Sequence, residues 1–367
     1  MDADKGNEKL KYIKLYNWEK TLILSNVLKE GDKLSSEHQL QKKFGYSRQT
    51  VRAALDKLEE DGLITRVRGS GTYVSYKGHD EKFPRKSVGL ILSYFSDYLF
   101  PQIYSGIESV FEDNGISVDV AVTKNQLNDE RSFLERFLSS DPQGLIIEGT
   151  RSAFPNPNTK LYEELDRRNI PVIFIHNHYS NIKLNSIEMD DYGCCYALTE
   201  KLIDSGHKKI AAVFKYDELQ GIERYRGFIQ CMSDHSLTIN DESVKWYSTK
   251  DSDYSFSKKS TSAYLKKISD CTAVISYNDE IATHLIDSFL QRGIRVPEDI
   301  SIVSFDDMSF GNSPVRLVSA VHPKAELGKR AAQTLMDMIN DPDWKNHNYS
   351  YRFPVQINYG NSVRNLT

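Results

Sequence analysis

Residues Gly31–Val74 read GDKLSSEHQLQKKFGYSRQTVRAALDKLEEDGLITRVRGSGTYV, and this stretch decides the fold of the front of the chain. Ser36-Glu37-His38-Gln39 has capping-box spacing: the Ser36 hydroxyl can accept from a first-turn amide while Gln39 reaches back, starting a short helix that ends at Gly45. Gly45-Tyr46 makes the turn. Ser47 then caps a second helix in which Val51, Ala54, Leu55 and Leu58 recur at i, i+3, i+4 and i+7 as one apolar stripe. That phase sends Gln49, Arg52 and Ala53 outward, with Arg48 and the Thr50 hydroxyl also offered from the first turn. Arg can fork onto guanine and Gln onto adenine in a major groove. Beyond Gly62, Leu63–Arg66 and Thr72–Val74 are β-prone and joined by Val67-Arg68-Gly69-Ser70-Gly71, a turn its glycines permit. Two helices, a turn and a β-ribbon that puts Arg68 beside a phosphate or minor groove read as a winged helix-turn-helix.

These residues resemble the N-terminal domain of the GntR family of bacterial repressors, from the Ser-Glu helix start through Ser-Arg-x-Thr-x-Arg to the Gly-x-Gly-Thr wing. The resemblance implies DNA contacts at Glu37, Arg48, Gln49, Thr50, Arg52 and Gly69, with Arg68 a further wing contact. His38 departs from the Arg frequent in the family, and a neutral imidazole does not replace a guanidinium clamp. A lone Arg pair on a helix is ordinarily a solvated charge; here the turn and the wing reverse that reading.

The 367 residues suffice for two or three domains. Charge is divided unevenly: residues 1–78 hold 15 Lys/Arg against 11 Asp/Glu, net +4, while the remainder is net −8. A basic front suits a polyanion. No apolar run approaches the roughly 20 residues that span a bilayer, and the charged N-terminus lacks a signal-peptide core, so the expected location is cytoplasmic. Cys194, Cys195, Cys231 and Cys271 lack zinc spacing and read as reduced, mostly buried thiols.

The polar segment 77–86, KGHDEKFPRK, contains Pro84 and reads as linker. Beyond it, apolar runs alternate with amphipathic stretches: Val88–Leu92, Val118–Val122, Leu145–Ile147, Val172–Ile175, Ile210–Phe214, Val244–Tyr247, Ala273–Ile275 and Ile302–Phe305. Such βαβ rhythm implies parallel sheets. Eight strands exceed one flavodoxin-like sheet, so two similar lobes with a cleft between them are expected.

The same region resembles the effector domain of the LacI/GalR family, itself similar to periplasmic sugar-binding proteins. The ordered motifs are Met189-Asp190-Asp191-Tyr192-Gly193, Ser205–Ala211, Glu223-Arg224-Tyr225-Arg226-Gly227-Phe228, Tyr277-Asn278-Asp279-Glu280-Ile281-Ala282 and Pro297–Asp307. The resemblance implies an α/β fold: a winged helix-turn-helix (1–75), a linker (76–86) and a two-lobed periplasmic-binding-protein-like domain of two parallel α/β sheets (87–367). Lobe 1 is expected at about 87–177 and 311–340, lobe 2 at about 178–310 and 341–367. It also implies ligand contacts at Arg224, Asn278 and Asp306, whose donors and acceptors suit sugar hydroxyls. From the first lobe, Tyr94, Asp97 and Tyr98 follow the first strand, and Glu148 and His176 end two others. Aromatic faces pack on the C–H face of a pyranose and carboxylates hold vicinal hydroxyls, although such aromatics are about as often lobe core. Asp190 is either a contact or a helix cap.

His176-Asn177 stands where the family usually shows Asp-Arg, so ligand identity is not copied from hexose-binding relatives. His176-x-His178 invites a metal, but no third or fourth ligand is nearby in sequence, and no cofactor or metal is expected. Paired acids at glycosidase spacing, a nucleophile elbow and a GxxxxGK loop are missing, which disfavours an enzyme. The hybrid as a whole resembles the arabinose-responsive repressors of bacteria. That resemblance implies a homodimeric repressor of sugar-utilisation genes, bound to double-stranded operator DNA and released by a sugar, L-arabinose or a related pentose, in the interlobe cleft. Another sugar, corepression, activation or a sugar-transport component are the alternatives.

Overall fold

The computed structural model describes residues 12, 15, 16, 18–20, 22, 23, 28–67, 69–76, 87–94, 99–308 and 314–367. The expected linker, apart from Tyr76, lies outside them. The chain divides into two compact units, one made of Met1–Ile147, Lys160–Ile173 and Lys324–His347, the other of Glu148–Thr159, Phe174–Pro323 and Asn348–Thr367.

The winged helix-turn-helix belongs to the first unit. Helix α1 (Glu37–Phe44) begins with the full capping box: the Gln39 amide donates to Ser36 Oγ at 3.3 Å and the Ser36 amide donates to Gln39 Oε1 at 2.8 Å. It stops at Gly45, which takes the left-handed φ of 64°. Helix α2 (Arg48–Glu60) is capped by Ser47 and buries Val51, Ala54, Leu55 and Leu58 against Leu15, Trp18, Leu34 and Leu40. Strands β1 (Ile64–Val67) and β2 (Gly71–Val74) pair antiparallel with Ile64 opposite Val74, and Gly69 turns the wing at φ 78°.

The larger domain runs β3 (Ser87–Leu92), α3 (Phe100–Asp113), β4 (Ser117–Val122), α4 (Leu127–Ser140), β5 (Gly144–Glu148), α5 (Thr159–Arg167), β6 (Val172–Ile175), β7 (Asn185–Met189), α6 (Asp191–Asp204), β8 (Ile210–Lys215) and α7 (Leu219–Asp234). It continues through β9 (Val244–Tyr247), α8 (Ser252–Ser255), α9 (Lys258–Lys267), β10 (Ala273–Ile275), α10 (Asp279–Leu290), β11 (Ser301–Phe305) and β12 (Val318–Ala320). Helix α11 (Lys324–Asn340) and strands β13 (Tyr351–Phe353) and β14 (Ile357–Asn358) complete it. Two six-stranded sheets result, in the orders β13-β7-β6-β5-β3-β4 and β14-β12-β11-β10-β8-β9. The sequence runs correspond to eight of these strands; β7, β12, β13 and β14, of two to five residues, had no comparable run to announce them. The sheets are parallel, as expected, through pairs such as β10–β11, β8–β10 and β3–β4, with a short antiparallel edge pair, β12–β14.

Strands β3, β8 and β11 are buried along their whole length, as parallel strands covered on both faces must be. In the second sheet, Ala212, Phe214, Ile275, Val303 and Phe305 pack with α6 and α7. Their immediate neighbours Ala211, Val213, Val274 and Ile302 pack with α9 and α10 on the other face, the period-two alternation of a strand. In the first unit, α3 and α11 approach backbone to backbone. A Cβ on Gly106 would lie 2.1 Å from the Ala325 carbonyl oxygen, and one on Gly328 would lie 2.1 Å from that of Ile103.

Gly106→Val and Gly328→Val are therefore expected to force the two helices apart at about 1–3 kcal/mol each, lowering the thermal midpoint by several degrees in a calorimetric scan. An unchanged midpoint in either variant would contradict the backbone contact.

Candidate DNA-reading helix and effector site

On the reader, Arg48, Gln49 and Arg52 are exposed at the start of α2. Glu37, from the first turn of α1, accepts from Arg48 Nε at 3.2 Å and from Arg52 Nε at 3.0 Å, so one carboxylate holds both guanidiniums. Partial burial would raise the Glu37 carboxyl, but the two guanidiniums outweigh it and hold the group below its ordinary range. Thr50 differs from expectation. It is buried, with its hydroxyl 2.8 Å from Ser47 Oγ rather than offered outward, because the capping hydroxyl one turn back is the nearer partner. Gly69 sits at the tip of the wing, and Arg68 lies outside the described residues. The wing is fastened to α2 by Arg66, whose amide donates to Glu59 Oε1 at 3.0 Å and whose guanidinium meets Asp56 at 2.5 Å.

In the second unit the expected effector residues arrive at strand ends, at a helix start and, for Arg224, from the body of a helix. Glu148 closes β5, His176 follows β6, Arg224 projects from α7, Asn278 caps α10 directly after β10, and Asp306 follows β11. Carboxyl ends of parallel strands are where open α/β sheets collect ligands. Arg224 is 4% exposed. Its Nε donates to Asp191 Oδ1 at 2.7 Å, its Nη1 donates to the Tyr277 carbonyl, and its guanidinium lies 4.0 Å from the centre of the Phe305 ring and 4.8 Å from that of Tyr277. Burial pushes the Asp191 carboxyl up to about 6 against the pull of Arg224. Asp191 in turn keeps the Arg224 guanidinium cationic despite its burial.

His176 Nδ1 is 2.9 Å from Glu148 Oε1, and its ring meets that of His322 edge-on at 5.0 Å. Burial disfavours its cation, but Glu148, Asp191 and Asp306 together outweigh burial and raise its pKa. Its Nε2 is buried with no hydrogen-bond partner among the described residues. In the cation that nitrogen is a donor. The backbone is unusual at the same strand ends: φ is +64° at His176, +98° at Asp306 and +47° at Asp307. Residues with side chains adopt such values at a cost, and the cost recurs at ligand sites.

Asn278 spends its side-chain oxygen on the Ile281 amide at 3.0 Å, as the N-cap of α10. Asp190 caps α6, accepting from the Gly193 amide at 2.9 Å, and also lines the cavity beside His176 and Asp191. Tyr94 is half-buried after β3 in the first unit, whereas Asp97 and Tyr98 lie outside the described residues. A cavity of about 490 Å³ opens beside His176 and Asp191, lined also by His178, Glu188, Tyr192, Gln220, Glu223, Arg226 and Arg352. Arg224, Asn278 and Asp306 are not in its wall, so the cavity and the hydrogen-bonded cluster share His176 and Asp191. His178 turns to Glu188 at 2.6 Å, so the two imidazoles of His176-x-His178 go to different carboxylates rather than converging as ligands.

Asp191, Tyr277 and His322 were missed as site residues. Asp191 did leave a signal: with Cys194, Cys195 and Leu198 it lies at i, i+3, i+4 and i+7 on a buried helix face, where a carboxylate demands a cation. The four cysteines are free thiols, and burial pushes Cys194 and Cys231 up to about 12 and Cys271 up to about 11.

Residues 17–74 match the family of bacterial regulatory proteins of the gntR type, and residues 199–363 match the periplasmic binding protein-like domain. The arabinose metabolism transcriptional repressor of Geobacillus stearothermophilus is 37% identical over 90% of this chain and 91% of its own length. That of Halalkalibacterium halodurans is 35% identical over 87% of each. A LacI family transcriptional regulator from Enterococcus faecium, solved with bound ribose, superposes with a TM-score of 0.64 at 21% identity, covering 77% of this chain and 100% of that one, which shows the fold. With its gntR-type reader ahead of a periplasmic-binding-protein-like domain, the chain belongs to the family of the arabinose metabolism transcriptional repressors.

Proposed function

We propose that this chain represses sugar-utilisation genes from an operator and leaves it when a small sugar, L-arabinose in the first instance, binds at the carboxyl ends of the effector-domain strands. The observation that carries the reading is the pairing on one chain of an exposed Arg48-Gln49-Arg52 face with a buried cluster of Arg224, Asp306 and a His176 whose Nε2 lacks a partner among the described residues. Sugar hydroxyls both donate and accept. The Asp306 carboxylate would accept from them, and His176 and the Asn278 amide would donate, with Glu148 and Arg224 holding the set in place. Tyr94, Asp97 and Tyr98 are the proposed first-lobe contacts. Reading occurs in the cytoplasm by a homodimer on two half-sites of a near-palindrome, with base contacts from Arg48, Gln49 and Arg52, and phosphate contacts from Arg68 and the amide of Gly69. Glu37 would either meet a base itself or hand its guanidiniums to the DNA. To empty the operator fully, sugar must prefer the released conformer by about 10⁴-fold.

Arg52→Ala is expected to weaken operator binding by about 10-fold or more, the worth of one bidentate base contact, while calorimetric sugar affinity stays unchanged. Binding of the unmodified protein should fall steeply as salt rises; an affinity indifferent to salt in an anisotropy titration would rule out the electrostatic grip. Asp306→Asn should weaken L-arabinose by about 10–100-fold, the loss of a hydrogen bond to a charged group, and leave a repressor that ignores inducer. Undiminished heats of binding in that variant would remove Asp306 from the site, and parent protein giving no heat with L-arabinose, xylose, ribose or galactose would remove the sugar assignment itself.

A further inference from the structure

Asp279, beside Asn278 at the start of α10, is fully enclosed and has had no role so far. Its Oδ2 accepts from the Met308 amide at 2.6 Å and its Oδ1 accepts from the Ser319 hydroxyl at 3.1 Å. Ser319, in β12, accepts in turn from the Asp307 amide at 3.1 Å. On either side, the Asp306 amide donates to the Ala320 carbonyl at 2.9 Å and Asn358 Nδ2 donates to Asp307 Oδ1 at 2.8 Å. Every one of these bonds fastens the Asp306-Asp307 turn, where φ is +98° and then +47°. An aspartate at +98° is outside even the left-handed region and stays there only when its surroundings over-determine it.

We infer that Asp279 is a positioning residue of the effector site: through Met308 and Ser319 it clamps the strained Asp306-Asp307 turn, so that the Asp306 carboxylate is presented at the end of β11. The inference rests on the proposed role of Asp306 in holding the sugar. Asp279 acts through Asp306 and the backbone, not on the ligand. Burial, and then the neighbouring charge of Asp306, push the Asp279 carboxyl up to about 7. In Asp279→Asn the carboxamide oxygen can still accept from the Met308 amide while its nitrogen donates to Ser319 Oγ, so a side chain of the same shape is a close substitute. The sequence motif Tyr277-Asn278-Asp279 thereby divides its labour: the Tyr277 carbonyl receives Arg224, Asn278 caps the helix, and Asp279 reaches across to the next strand end.

The test uses the full chain and two readouts. Hydrogen exchange followed by mass spectrometry, without sugar, reads the clamp itself. Amides 306–308 should exchange at least 10-fold faster in Asp279→Ala, about 3-fold faster in Ser319→Ala, and at the parent rate in Asp279→Asn. Calorimetry with L-arabinose should follow the same order, with affinity at least 10-fold weaker in Asp279→Ala and within about 3-fold of the parent in Asp279→Asn, while operator binding without sugar holds in all three. Parent-like exchange in Asp279→Ala and Ser319→Ala would overturn the clamp. So would Asp279→Asn losing the sugar as fully as Asp279→Ala, because the charge rather than the shape would then be what matters. A parent that binds no L-arabinose yet shows the exchange pattern supports the clamp and sinks only the sugar assignment.

Discussion

Arg224 is the residue on which the second unit's site turns. Burying a guanidinium and a carboxylate is costly, and the cost is recovered only if both are fully bonded. Here Asp191, the Tyr277 carbonyl and the faces of Phe305 and Tyr277 complete the shell. One cation thereby ties the first turn of α6, the body of α7, the loop after β10 and the end of β11 together. Removing either charged partner alone would strand the other, a loss of about 3–5 kcal/mol. The cluster is therefore held together without any ligand, and beside it Glu148 first, then Asp191 and Asp306, outweigh burial and raise the pKa of His176.

The reader uses the same pairing of carboxylate and guanidinium at the opposite extreme of exposure. Glu37 sits between Arg48 and Arg52, with those arginine side chains 67% and 55% exposed. Exposed pairs of this kind contribute little to stability and are screened by salt. They cost little to exchange, so a duplex can compete for both guanidiniums without unfolding the turn that carries them. A buried pair that stays fixed and an exposed pair that DNA would compete for suit the proposed ligand-controlled reader, in which coupling is reciprocal: whatever sugar does to operator affinity, operator must do to sugar affinity.

Much of this was readable in the residues because it rests on contacts a few positions apart. The Ser36–Gln39 capping box, the Val51–Leu58 stripe and the long apolar strands are local patterns, and they reappear as structure. What escaped depends on distant partners. Strand β14 has two residues and exists because β12 lies beside it, and β13 is called into the first sheet by β7. Thr50 was misplaced because a local competitor, the Ser47 hydroxyl, captured a side chain whose sequence neighbours face outward. At the site, Arg224 and Asp306 came from family motifs, whereas the bond from Ser319 to Asp279 spans 40 positions and leaves no periodic trace. The positive φ at His176 and Asp306 was equally invisible, since Asp and His adopt it more often than most residues yet too rarely for the residue type to mark the position.

The central claim is that one small sugar and one duplex bias the same chain in opposite directions. It is tested most directly by measuring the L-arabinose dissociation constant calorimetrically twice, with the protein free and with it saturated by an operator duplex recovered by selection. The account predicts a dissociation constant that rises on the duplex by the same factor by which sugar weakens the operator. Equal constants in the two titrations would contradict it.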